Sequence, residues 1–311
     1  MATSSIGHVR HVMYHVITKS PKSVLDVGVG FGRWGFLCRE MLDVFPGRVV
    51  KGEWKTRIEG IEVYEPYLQD HQRYIYDKIH IGNAKDVLKT LGHYDVIIIG
   101  DMLEHLAKDD AWNLFHDAME RADIGLMLNL PIGKEWLRDA GSDNKYEDHL
   151  SWWTLEEFAD YLPETYITKL ETGMEHAAMF ITSANYKYVA YLSEAGRAEE
   201  EQDNQRAASL CSTAVSLIPS RPEAYMTLAN ILLKNGLTAD AEKIMEAMTV
   251  ASPAYPHGRV ILASLYNLHG KRDDAIQQLE LVIATQGVDA DVKSRAEAMK
   301  LDIKEAPQQA E

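Results

Sequence analysis

Short apolar runs alternate with helical segments along the first half of the chain. The run from Val96 to Ile99 contains only branched aliphatic residues and ends at Gly100. Such uninterrupted runs are typical of strands buried on both faces of a sheet, because a strand with one solvated face would alternate apolar and polar residues. Strands that alternate with helices favour an α/β fold. The segments in which we expect strands are 24–27, 57–64, 78–84, 96–100 and 124–130.

Helices and further strands are predicted around and after this series. A helix is expected from Arg33 to Leu42, directly after the first strand. A second is expected from Thr154 to Tyr161, with Thr154 as its N-cap and Glu157 completing a capping box. Two β-like runs follow, at 166–171 and 177–182.

After Ser183 the sequence changes to an alanine-rich helical pattern that repeats every thirty-four residues. The positions that share this spacing are Ala207, Ala241 and Ala275; Gly236 and Gly270; and Pro219 and Pro253. The pattern resembles tetratricopeptide repeats, in which two antiparallel helices pack through small residues. A charge run at 199–203 makes the earliest repeat degenerate. We expect two domains, residues 1–184 and a small all-α repeat domain of residues 185–311.

Three glycines spaced two apart follow the first predicted strand. Gly28, Gly30 and Gly32 let the backbone turn tightly and approach a ligand closely, and the helix that follows favours an acceptor at its N-terminus. A dinucleotide fingerprint would place the third glycine one residue later. Asp26, two residues before the first glycine, would crowd a pyrophosphate, but it suits a cationic amino-acid ligand.

An acid followed by this glycine spacing resembles the first motif of the class I methyltransferases that depend on S-adenosylmethionine. Three later segments match the same family: Glu62-Val63 after the second strand, Asn83-Ala84 after the third, and Asp101-Met102-Leu103-Glu104-His105 after the fourth, the last being similar to D-x-L-E-H. The resemblance implies a Rossmann-like, mostly parallel sheet of seven strands, in which the last two strands form an antiparallel pair.

The resemblance also implies how the cofactor, S-adenosylmethionine, is bound. Glu62 would accept hydrogen bonds from the ribose, and Asn83 would contact the adenine amino edge. Purely structural roles are the alternative for two of these residues. Gly82-Asn83 is also an ordinary turn signal, and Asp101 would serve equally as the N-cap of a following helix. The full predicted cofactor set is Asp26, Gly28, Gly30, Gly32, Glu62, Val63, Asn83, Ala84 and Asp101.

The composition limits the kinds of partner and the cellular location that we expect for this protein. The formal net charge of −15 disfavours binding to the negatively charged phosphate backbone of a nucleic acid, so DNA and RNA are not expected as substrates. The two cysteines, Cys38 and Cys211, have no cysteine neighbour and are expected to be reduced, as in the cytosol. No run is long enough for a signal peptide or a membrane span. We expect a cytoplasmic protein that does not bind a membrane.

Three residues are candidates for catalysis. Histidine suits proton removal from a hydroxyl near neutral pH, and His105 and His149 are rival candidates, with Glu104 beside the first. The alternative for His105 is packing beside the methionine end of the cofactor, and the alternative for Glu104 is a structural role. Tyr146, Trp152 and Trp153, in the segment 143–153, would form a wall for a sugar or an aromatic ring, or belong to the core.

Two further clusters suggest metal ligands, although we predict no metal. His8, His11 and His15 share one face of a predicted N-terminal helix, at spacings of i, i+3 and i+7. Glu147 and Asp148 adjoin His149, but adjacent residues point in different directions.

The function that these observations favour is methyl transfer from S-adenosylmethionine to a hydroxyl of a sugar, a glycan or a related small metabolite. The alternative within enzymes is a protein or peptide methyltransferase that docks its substrate through the repeats. A non-catalytic scaffold that binds S-adenosylmethionine is the alternative from another class. The repeats would either associate with a second copy, giving a homodimer, or bind a protein partner.

Overall fold

The computed structural model describes residues 6–137 and 144–305. It separates into two compact units, which meet in sequence between Tyr186 and Lys187, close to the predicted boundary at residue 184. Unit 1 is an α/β unit, and unit 2 is entirely helical. No helix among the described residues is long and apolar enough to span a membrane.

A seven-stranded sheet forms the centre of unit 1, in the order β3-β2-β1-β4-β5-β7-β6. The strands β1 to β5 pair in parallel, whereas β7 runs antiparallel to both β5 and β6. The sheet is therefore mixed, which corrects the expectation of a mostly parallel one. The strands are β1 (Ser23–Val27), β2 (Arg57–Glu62), β3 (Lys78–Ile81), β4 (Tyr94–Gly100), β5 (Ala122–Ile132), β6 (Glu164–Lys169) and β7 (Glu175–Thr182).

The α-helices that accompany this sheet before the chain reaches α6 (Ser183–Glu200) are, among the described residues, α1 (Val9–Lys19), α2 (Arg33–Arg39), α3 (Asp70–Ile75), α4 (Ala84–Val87) and α5 (Lys108–Arg121). The predicted helix 33–42 ends earlier as an α-helix, because a π-helical turn, Glu40–Val44, takes over. The predicted helix 154–161 is a 3₁₀ helix, Glu156–Tyr161. Its expected capping box is half present, since the backbone N–H of Thr154 donates to Glu157 Oε2 over 2.9 Å.

The central strand β4 is buried on both faces of the sheet, as its uninterrupted apolar run predicts. Ile97 and Ile99 of β4 pack on one face with residues of α5, and Val96 and Ile98 pack on the other with residues of α1 and α2. Alternate side chains of a strand point to opposite faces, so an all-aliphatic strand serves two cores at once. The sheet edge at the carboxyl ends of β1 to β4 is consequently fixed from both sides.

A buried hydrogen-bond chain joins β1 to the helices beside it. The Tyr76 hydroxyl donates to Asp26 Oδ2 over 2.5 Å and accepts from the backbone N–H of Gly35 over 3.1 Å. Burial raises the pKa of Asp26 to about 7. Gly35 is required for this approach, since a Cβ there would lie 2.1 Å from the Tyr76 ring.

Unit 2 consists of helices that pack in succession through small residues. Ala207, Ala241 and Ala275 are fully buried, and Gly236 and Gly270 adopt φ values of +74° and +76° at the turns that follow α8 and α10. The thirty-four-residue spacing thus marks equivalent helix contacts and turns. The helices are α7 (Asn204–Leu217), α8 (Pro222–Lys234), α9 (Thr238–Ala251), α10 (Pro256–Leu268), α11 (Arg272–Ala284) and α12 (Ala290–Glu305).

The charge run at 199–203 forms a helix-to-helix turn. Asp203 caps α7 by accepting from the backbone N–H of Arg206 over 3.0 Å. The two cysteines are buried and free, as expected: Cys38 lies in α2 and Cys211 in α7.

We predict that Tyr76→Phe lowers the free energy of unfolding of unit 1 by about 1–3 kcal/mol, because Asp26 and the Gly35 N–H lose their shared partner in a buried environment. All six tryptophans lie in unit 1, so urea unfolding followed by tryptophan fluorescence reports on this unit alone. Tyr74→Phe is the control: Tyr74 is 54% exposed, and its loss should cost less than about 0.5 kcal/mol. Equal effects of the two changes would contradict the role given to Tyr76.

Candidate functional site

A cleft opens at the carboxyl ends of the first four strands. Ligands of open α/β sheets bind at this edge, next to the point where the strand order reverses. Every predicted cofactor residue except Asp26 and Gly32 lines the cleft. The predicted residues in its wall are Gly28, Gly30, Glu62, Val63, Asn83, Ala84, Asp101, His105 and Tyr146.

The glycine loop is held in an open turn by the carboxylate of Glu62. Gly28 and Gly30 have φ values of +89° and +49°, a region that favours glycine. The backbone N–H of Gly30 donates to Glu62 Oε2 over 2.8 Å, and the N–H of Tyr64 donates to Oε1 over 2.7 Å. Burial raises the pKa of Glu62. One carboxylate at the end of β2 therefore fixes both the loop above β1 and the chain that leaves β2.

Asp26 and Gly32 lie outside the wall of the cleft. Asp26 is fully buried in β1, where it accepts from Tyr76. Gly32 is the N-cap of α2 in a left-handed conformation, and a Cβ there would come within 2.9 Å of Gln72. The expectation of direct ligand contact is therefore corrected for Asp26: it supports the strand beneath the loop.

Asn83 lies both at the cleft and in a local turn. It lines the cleft, and it is also the N-cap of α4, where its Oδ1 accepts from the N–H of Lys85 over 3.0 Å. Its position at the cleft is thus fixed by the local turn. Ala84 follows as the first residue of the helix.

Asp101 is held in a strained conformation directly after β4. Its φ of +54° is uncommon outside glycine and costs on the order of 1–3 kcal/mol. Asp101 Oδ1 lies 2.9 Å from Nε2 of His176, a residue of β7. The N-cap interpretation of Asp101 is wrong, because the 3₁₀ helix that follows, Leu103–His105, has Met102 as its N-cap, and α5 begins only at Lys108. His176 was missed because it lies 75 positions later in the sequence.

The three predicted catalytic residues lie together beside the cleft. Potential ligand atoms of Glu104, His105 and His149 are within 4.8 Å of one another, and the two imidazole rings meet edge to face at 4.8 Å. His105 Nδ1 lies 3.1 Å from the carbonyl oxygen of Asp148. Since a carbonyl only accepts, Nδ1 carries the proton and Nε2 holds the lone pair.

Burial dominates the electrostatics of this cluster. Glu104 is 2% exposed, and burial together with the charge of Asp101 raises its pKa well above the usual range. Burial also lowers the pKa of His105. Burial thus shifts the pKa of each group in the direction that favours its neutral form.

The predicted aromatic wall is only partly formed. Tyr146 lines the cleft, while Trp152 is 41% exposed. Trp153 belongs to the core instead: it is fully buried against Trp112, and the ammonium of Lys108 lies 3.5 Å from the centre of its ring. Asp143, the first residue of the predicted segment, falls outside the described residues.

The three histidines in and just before α1 contact different partners. His8 Nε2 bonds to the carbonyl of His176 over 3.2 Å, and His11 Nε2 to the carbonyl of Glu164 over 3.3 Å. The ring of His15 stacks on Phe180. Over residues 6–137 and 144–305, the one group of three suitable side chains is Glu104, His105 and His149, without Glu147 or Asp148.

A polar network in the cleft wall was missed by sequence reasoning. The hydroxyl of Tyr67 donates to Glu147 Oε1 over 2.9 Å and accepts from Asn144 Nδ2 over 3.0 Å. Tyr67 follows β2, whereas its partners follow β5. No local pattern signals such a contact, since about eighty residues separate the partners.

Comparison with known proteins identifies the repeats. A family model described as a tetratricopeptide repeat matches residues 198–254, within unit 2, which confirms the predicted repeat character of that stretch. The comparison with curated proteins found no match.

Several solved structures resemble parts of this chain at low similarity. The type III secretion translocator chaperone SycD of Yersinia enterocolitica is 15% identical, with a TM-score of 0.33, over 37% of this chain and 88% of its own. PcrH from Pseudomonas aeruginosa is 14% identical, with a TM-score of 0.34, over 38% and 91%. The Sgt2 TPR domain from Aspergillus fumigatus is 21% identical, with a TM-score of 0.32, over 40% and 87%.

We predict that Gly28→Ala lowers the free energy of unfolding of unit 1 by about 1–2 kcal/mol, because a side chain at positive φ is strained. The new methyl group would also meet Met102 at 3.4 Å. Gly52→Ala is the matched control, since no atom lies within 4 Å of its Cβ position. Tryptophan fluorescence in urea measures both, and an unchanged midpoint for Gly28→Ala would refute the loop geometry.

Proposed function

We propose that unit 1 binds S-adenosylmethionine in the cleft and transfers its methyl group to a hydroxyl of a sugar, a glycan or a related small metabolite. The observation that carries this proposal is the convergence of Gly28, Glu62, Asn83 and Asp101 at one cleft. These residues come from the ends of four parallel strands, in the order that the resemblance to class I methyltransferases implies.

Glu62 is suited to the ribose. Each oxygen of an ionised carboxylate accepts about two hydrogen bonds, and Gly30 and Tyr64 each occupy one position on a different oxygen. The remaining positions are available to the two ribose hydroxyls. The backbone bonds orient the carboxylate in advance, which lowers the entropic cost of binding.

The charges of the cleft favour a sulfonium amino acid over a dinucleotide. The carboxyl groups of Glu62, Asp101 and Glu147 line it together with one arginine, Arg33. Acidic groups attract the sulfonium and the ammonium of S-adenosylmethionine and repel a pyrophosphate. Arg33 would pair with the carboxylate of its amino-acid part.

The cluster of Glu104, His105 and His149 is placed to act on the acceptor. His105 reaches the cleft wall, close to Asp101 and Met102 in sequence. Holding an acceptor against the sulfonium methyl group supplies much of the rate in such a substitution. Tyr146 supplies an aromatic face at the same cleft, which suits a sugar ring.

We predict that the full-length protein binds S-adenosylmethionine, but not NAD, in titration calorimetry. Glu62→Gln should weaken S-adenosylmethionine binding at least about tenfold, or 1.4 kcal/mol. The amide replaces one accepting oxygen by an NH₂ group, which cannot accept a hydrogen bond from the backbone or from a ribose hydroxyl. Glu65→Gln is the control: it lies just beyond β2 in an exposed pair with Arg73. Tight NAD binding without S-adenosylmethionine binding would overturn the proposal.

A second candidate is methylation of a protein or peptide docked by unit 2, which the tetratricopeptide match at residues 198–254 supports. Cofactor with a labelled methyl group, incubated with cell extract and full-length protein, separates the two. We predict label in small hydroxylated metabolites or glycans. Label in protein alone would favour the second candidate, and cofactor binding without any transfer would favour a scaffold.

A further inference from the structure

We propose that Glu104, His105 and His149 form a binding site for one divalent transition-metal ion at the edge of the cleft. One carboxylate and two imidazoles are a ligand set that such ions bind. Among the described residues no other group of three brings suitable ligand atoms together.

The orientation of His105 is that of a metal ligand. Its Nδ1 donates to the Asp148 carbonyl over 3.1 Å, which leaves Nε2 to coordinate. Metal-bound histidines nearly always donate their second ring nitrogen to a carbonyl or a carboxylate, because this fixes the ring and its tautomer. The contact is therefore a supporting bond of the kind that a metal site requires.

Glu104 provides the second, independent observation. Its side chain is 2% exposed, and within the described part of the chain its Oε2 has no hydrogen-bond partner. A buried polar atom without a partner costs about 1–3 kcal/mol, so its retention calls for an explanation. A cation bound between Glu104 and the two imidazoles would supply the missing partner.

The dimensions allow such a site after a small adjustment. Ligand atoms of a tetrahedral ion with bonds of about 2.1 Å lie about 3.4 Å apart, whereas those of the cluster lie within 4.8 Å of one another. Binding of the ion therefore requires the three side chains to move closer together. The set of two nitrogens and one oxygen favours Zn²⁺, Co²⁺ or Fe²⁺ over Mg²⁺, which prefers oxygen ligands alone.

The consequence for catalysis rests on the proposed function. Three protein ligands leave a fourth position open, and His105 borders the cleft. A hydroxyl bound there would have a lowered pKa and lose its proton to water. The oxygen then forms a bond to the methyl carbon while the carbon–sulfur bond breaks, and the electron pair stays on sulfur. The products are a methyl ether and a neutral thioether, and both histidines serve as ligands rather than as bases.

The test is a titration of metal-free, untagged full-length protein with Co²⁺, followed by its visible absorption and by competition with Zn²⁺. We expect one Co²⁺ per chain, with affinity at least tenfold above that for Mg²⁺. His149→Ala and Glu104→Gln should each weaken binding at least tenfold, since even the loss of a supporting contact has an effect of this size. Their urea midpoints, read by tryptophan fluorescence, verify that the variants are folded.

His93→Ala is the matched control. His93 pairs with Asp123 at 3.0 Å on the surface, at the start of β4 and hence at the opposite edge of the sheet, and its loss should leave Co²⁺ binding unchanged. Binding that is absent, or equal in wild type and both cluster variants, would overturn the proposal. Because S-adenosylmethionine is left out, this result is independent of cofactor binding.

Discussion

The hydrogen bond between Asp26 and Tyr76 is the constraint on which the geometry of the cleft depends. The acid lies in the central strand, and its partner links it to the first turn of α2 through the N–H of Gly35. The glycine loop lies between these two anchors. Its positive φ angles can persist because both of its ends, and the Glu62 carboxylate above it, are fixed by buried polar contacts. Burying an acid is costly, and here the bonds that offset this cost also shape the glycine loop.

The strand order explains why residues distant in sequence meet at this loop. From β1 the chain continues to β2 and β3 on one side, and from β4 onward it builds the other side. The crevice between the two directions lies at the carboxyl ends of β1 and β4. Gly28 and Asp101 follow those strands directly, while Glu62 ends β2. A polar residue immediately after a buried parallel strand is thereby directed to one edge of the sheet.

This rule also defines what the sequence could predict. The positions of Glu62, Asn83 and Asp101 at the cleft could be predicted because each residue lies at the end of its own apolar run. Glu104, His105 and His149 were each predicted as candidates for catalysis, but their proximity to one another was not predicted. The bond from Tyr67 to Glu147 and the pair of Asp101 with His176 join separate elements, so no local pattern encodes them. Trp153 was ambiguous for another reason: its burial depends on α5, whose Trp112 packs against it. The predicted mostly parallel sheet is mixed because β7 returns antiparallel beside β5.

Glu104 and Glu62 are both buried acids, but their carboxylates differ in their hydrogen-bond partners. Glu62 is buried too, but two backbone N–H groups occupy its oxygens, which accounts for its position structurally. Among the described residues, Glu104 Oε2 has no hydrogen-bond partner, and Glu104 lies near a second acid, Asp101, which is in a strained conformation. Sites that break local rules of stability without a structural gain are where function is expected. The fold itself thus satisfies the carboxylate of Glu62, whereas the metal ion that we propose would supply the missing partner of Glu104.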